Sequence, residues 1–227
     1  MSDRAFEPFA PGSWTARLAS GVPDLALSAG CFVTWHSPRL VAPWVTRWIL
    51  LTMLLEFIVV HSSGFMGVFA FGRESVRSRV LAILGLGALY SLFAGAFSLA
   101  FHTWWPLTSF ALLTLNRLSG SLLHRDPDDD GSAQGLFIAS WAACTLCYLA
   151  GAVATTAGTL PRLGFDPAFV ASLHLSGGGL WIDEPWRVVA FGAVYFGAVG
   201  LLELLVFPLF TRGRASAARR NAPAPDA

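Results

Sequence analysis

The chain has 227 residues, 55% of them hydrophobic and only 13% charged, with a formal net charge of +1. Soluble domains carry about 25% charged residues, so this chain lacks the polar surface needed to cover a water-facing core. Its near-neutral balance leaves no basic footprint for nucleic acid.

A bilayer supplies the missing solvent, and the expected fold class is an all-α polytopic membrane protein. A crossing helix needs about 20 mostly apolar residues to traverse about 30 Å of hydrocarbon. The N-terminal residues 1–21 lack the basic-then-apolar layout of a cleaved leader and are expected to form a cytoplasmic segment. The first apolar stretch, 22–37, starts at Pro23 and Asp24 and stops at Pro38. Its short uninterrupted part suits a re-entrant or interfacial helix as well as a short span. Five further segments, 48–70, 80–101, 104–123, 136–158 and 188–210, meet the length test.

All 15 basic residues are Arg, a composition habit of high-GC bacterial genomes. Six spans with both termini cytoplasmic leave only Arg39, Arg47, Arg162 and Arg187 outside and the other eleven inside. Five spans would give nine against six, so the positive-inside rule favours six in a bacterial inner membrane. Trp35, Trp44, Trp48, Trp104, Trp105, Trp181 and Trp186 then form a belt at the outer helix ends, where indole prefers the headgroup level.

Two connections stand out. The polar turn at 124–134 contains Asp128, Asp129 and Asp130 but lacks the alternating ligands and closing Glu of a calcium loop. In the outer loop, Asp166 followed by Pro167 signals a helix start. A short amphipathic helix on the outer membrane surface is expected there, ended by Gly177–Gly179. The tail 211–227, rich in Arg, Ala and Pro, is expected to be disordered.

Ionisable groups at membrane depth are the place to look for function, because each costs about 2.5–3.5 kcal/mol on insertion scales. Glu56 and His61 lie in the second span and Glu203 in the sixth. Counted inward from Arg47 and Arg187, His61 and Glu203 fall at similar depth. Glu56 and Ser63, seven residues apart, share a helix face, whereas Glu56 and His61 do not. With Asn116 and Arg117 these residues make a candidate buried polar or proton-relay set; the bland alternative is interhelical hydrogen bonding.

Cys144 and Cys147 form a CxxC, but they belong to a stripe of small residues, Ser140, Cys144, Cys147, Gly151, Ala154 and Gly158. That spacing is a helix-packing seam. A similar run, Gly87, Ser91 and Gly95, makes the third and fifth spans the expected tight-packing elements. His36, His102 and His174 are weak outer-face metal candidates without the close spacing of a zinc or copper site. No cofactor is expected: a b-type haem needs two histidines at membrane depth, and only His61 qualifies.

Two functional classes follow. One is a small transporter or channel-like component moving a proton, ion or small solute past the buried Glu and His. The other is a non-catalytic subunit docking through the aromatic belt. Neither needs partners beyond the lipid bilayer, a homo-oligomer or other membrane proteins. No nucleophile, base and orienter assemble into an enzyme site.

Overall fold

A computed structural model describes residues 14–70, 75–123, 130–175 and 177–206. The tail 211–227, most of the 124–134 turn and the first 13 residues lie outside that part. All regular structure among the described residues is helical. Six long helices are α1 (Trp14–His36), α2 (Pro43–Ala70), α3 (Val76–Ala100), α4 (Trp105–Leu123), α5 (Asp130–Ala157) and α8 (Pro185–Leu201). Two short ones, α6 (Pro167–Ser172) and α7 (Leu180–Asp183), sit in the α5–α8 connection, and α8 runs on into a π-turn, Leu202–Val206.

Four helical stretches are long and apolar enough to cross a membrane: Pro43–Phe69, Val76–Ala100, Phe137–Ala157 and Pro185–Leu205. Helix α4 contributes a shorter apolar stretch, Trp105–Leu115. Helix α1 is continuous over 23 residues with Pro23 inside it, well beyond the 22–37 expected. Its polar residues Arg17, Ser20 and Asp24 concealed the extension.

Helix α8 is the centre of the bundle. It is buried along most of its length, from Pro185 and Trp186 to Gly200, and α1, α2 and α5 pack around it, α1 most extensively. The resulting core includes Met53, Tyr148, Phe191, Tyr195 and Phe196. Helices α3 and α4 pair with each other on another side of α2, around a second core of Leu55, Ile58, Met66, Ile83, Ala94 and Phe110. The outward faces are apolar: 56% of the α8 apolar stretch is buried, but only 17% of that of α3 and 6% of that of α5. Leu92, Phe93, Leu146 and Val153 are among the exposed side chains. So extensive an apolar exterior is what lipid, rather than water, accommodates.

The tightest crossing joins α1 to α8. A Cβ on Gly21 would stand 2.8 Å from the Gly200 carbonyl oxygen, and one on Gly200 would stand 2.9 Å from the Gly21 oxygen. Farther along, Ser28 Oγ donates to the Ala193 carbonyl at 2.6 Å. The expected seam on α3 and α5 is used differently. Gly87 receives Thr114 of α4 and Gly151 receives Phe191 of α8, whereas Gly95 faces open space. Gly64 and Gly67 of α2 make room for the rings of Trp141 and Phe137.

The end of the bundle that carries α6 and α7 is cross-linked by its arginines. Arg39 pairs with Asp166 at 2.5 Å, and Arg47 Nε donates to the Leu173 carbonyl at 2.6 Å. Arg162 lies over the Trp186 ring, 4.5 Å from its centroid. Arg187 pairs with Glu184 and donates to the carbonyls of Thr155 and Gly158, each at 2.7 Å, so it closes the end of α5. Asp166 caps α6 by accepting from the Phe169 amide at 2.8 Å. Phe169 of this helix and its flanking residues Phe165 and Leu173 are buried in the main core. The helix ends before Gly177–Gly179, because His174 takes a left-handed φ of 46°.

Candidate functional site

Helices α1, α2, α5 and α8 line a half-open cavity of about 450 Å³. Three carboxyls line it, one from each of three elements: Asp24 of α1, Glu56 of α2 and Glu203 of the π-turn after α8. Between them stand the hydroxyls of Thr52, Ser63 and Ser140 and the thiol of Cys144, with Phe137, Trp141, Tyr195 and Phe196 as aromatic walls. No described lining residue is basic.

The three carboxyls are seated differently. Asp24 follows Pro23, which has no amide to donate and is carried inside the continuous helix α1. Glu203 sits in the π-turn, a widened helix geometry found often at functional sites. Glu56 lies in regular helix and is held from across the interface, where Tyr195 Oη donates to Glu56 Oε1 at 2.7 Å. Tyr195 is in turn wedged by Tyr148, at 5.4 Å between centroids, and by Phe196, at 5.2 Å. The Tyr148 hydroxyl is fixed by donation to the Met53 carbonyl at 2.8 Å, and the Trp141 indole by donation to the Val60 carbonyl at 2.9 Å. The aromatic wall is therefore anchored to α2 backbone at two levels.

Of the candidate residues read from the sequence, the cavity gathers Glu56, Ser63 and Glu203. His61 is not in its lining; its Nδ1 hydrogen-bonds the Phe57 carbonyl one turn back, at 2.9 Å, and its ring packs on Phe57. Asn116 and Arg117 belong to α4, and their side chains lie outside the described part. His36 pairs with Ser37 Oγ at 2.9 Å, while His102 and His174 occupy left-handed turn positions. Among the described residues no group of three or more His, Cys, Asp or Glu converges as a metal site. Cys144 and Cys147 are free thiols; Cys144 reaches the cavity, and both touch the main core.

The sequence reading missed Asp24 and Tyr195. Asp24 looked like punctuation before a short span, and Tyr195 like one more apolar residue of a long one. A hydroxyl-bearing ring in a span that also carries Glu203 was the available signal. Comparison of the chain with protein-family models, curated proteins and solved structures finds no match to any of them.

Proposed function

We propose that this chain crosses a bacterial inner membrane six times, with both ends of the helical unit cytoplasmic, and moves a cation past Asp24, Glu56 and Glu203. The observation that carries the reading is the shared cavity: three carboxyls from three elements line one space, and no described lining residue is basic. Acidic side chains at membrane depth are costly to keep and mark ion or proton pathways.

The six-span topology draws on helix length and on arginine. Helix α1, at 23 residues, covers about 34 Å at helical rise, enough to cross the hydrocarbon. Facing Asp24 into the cavity spares it contact with lipid. The four arginines assigned to the outside are each engaged by protein groups, so little free positive charge is left at that end. Trp44, Trp48 and Trp104 remain exposed there, and this favours a second reading, a scaffold subunit that docks through indoles. Co-purification of a stable heteromeric partner would support the scaffold.

Reconstitution into proteoliposomes tests the transport reading. A membrane potential, negative inside, should drive cation entry through the wild type and not through Glu56→Gln. Equal charge movement in wild-type, variant and protein-free vesicles would remove the reading.

A further inference from the structure

The cavity's size and walls say which cation it suits. A proton needs a carboxyl and a water chain, not a chamber. A water molecule occupies about 30 Å³ of liquid, so a space of about 450 Å³ is many times larger than a bare metal ion requires. Calcium takes six to eight converging oxygens and magnesium six in near-ideal octahedral geometry. Asp24, Glu56 and Glu203 line the space, yet no three such side chains among the described residues converge at metal-ligand range. Their charges are spread around a volume instead of being focused on a point.

The remaining walls are aromatic. Phe137 and Trp141 of α5 and Phe196 of α8 present rings to the same space. Ring faces attract weakly hydrated organic ammonium groups, and desolvation strengthens that attraction. The volume falls within the range of about 300–1,000 Å³ typical of small-molecule sites. Carboxyls at separate points around an aromatic chamber fit a cation whose charge sits on carbon-clad nitrogen.

From this we infer that the cavity is a binding site for organic ammonium ions, with Glu56 and Asp24 as counter-charges and the rings of Phe137, Trp141 and Phe196 as the cage. The inference rests on the cation-path reading and narrows its cargo from cations in general to alkylammonium compounds. Inorganic ions are then poor ligands, because the cage cannot replace their water.

Isothermal titration of the full-length chain in detergent with tetraethylammonium chloride tests it, alongside sodium chloride and potassium chloride. Saturable tetraethylammonium binding is expected, weakened at least tenfold by Glu56→Gln and by Asp24→Asn, with no competition from equimolar sodium. Helical content and monodisperse elution establish that each variant is folded; Glu203→Gln replaces either one that is not. Absence of saturable tetraethylammonium binding, or binding unchanged in the folded variants, overturns the inference. If sodium or potassium instead binds in a Glu56-dependent way, the organic-cation assignment falls while the cation path survives. If no cation binds and no charge moves in vesicles, both fall.

Discussion

Tyr195 of α8 donates a 2.7 Å hydrogen bond to Glu56 of α2, and that single bond joins the central helix to the one carboxyl placed in an otherwise regular span. The bond fixes which way the carboxyl points, leaving its other oxygen free of any described side-chain partner. Tyr195→Phe keeps the ring packing against Tyr148 and Phe196 and deletes only the donor. Loss of stability of about 1 kcal/mol is expected, the lower end for an acceptor left without its partner, because the cavity gives the carboxyl alternative contacts. Thermal unfolding in detergent checks it. Glu56→Gln retains an acceptor for Tyr195 and should cost less stability than Tyr195→Phe while affecting cation movement more.

The α1–α8 crossing gives a prediction about the first helix. Since a Cβ on Gly21 would meet both Leu204 Cγ at 2.6 Å and the Gly200 oxygen, Gly21→Val forces the two backbones apart. Overpacking of this kind costs about 1–3 kcal/mol. Gly85→Ala on the exposed side of α3, where nothing lies within 4 Å, is the matched control and should be neutral or stabilising by roughly 0.5–1 kcal/mol. Limited proteolysis near the N-terminus should speed up in the first variant alone. Equal behaviour of the two would mean that α1 is not seated as described.

The helical, lipid-facing character of the chain was legible in its residues because long apolar runs encode it directly. Helices α2, α3, α4, α5 and α8 overlap those runs, and α2, α3, α5 and α8 each begin before the run they overlap. Pro43 starts α2, and Ser75, accepting from the Ser78 amide at 3.2 Å, caps α3. The first helix was legible only in part. Its stability comes from docking on α8 through Gly21, Ser28 and Cys31, a tertiary contact that overrides Pro23 and Asp24. Glu56 and Glu203 stood out as charges in apolar surroundings. Which residues would face them depended on helix rotation, and this brought in Asp24 and Tyr195 and turned His61 back onto its own helix.

Acid should loosen the loop end. The Phe169 amide, and then the Arg39 guanidinium, hold the Asp166 carboxyl below the usual carboxylate range. The unfolded chain therefore takes up that proton at higher pH than the folded chain does. Asp166 contributes its full stabilisation above the ordinary carboxylate pKa of about 3.9 and loses it as pH falls through the lowered folded value. The melting temperature of wild type should drop between about pH 5 and pH 3, and Asp166→Asn should drop less over the same interval. High salt should weaken the Arg39 share, since that pair is exposed. A variant with an unchanged acid response would show that the clasp contributes nothing.

The cavity contains its own chemical handle. Cys144 lines it, whereas Cys31 and Cys147 do not, so a chain with Cys31→Ala and Cys147→Ala keeps one described thiol, at the site itself. Recording cation current through proteoliposomes of this variant before and after reaction with a small, positively charged methanethiosulfonate reagent asks whether ions pass that point. The account predicts a current that disappears as Cys144 is modified and returns when a reductant removes the adduct. Complete modification of Cys144 with the current unchanged would contradict it.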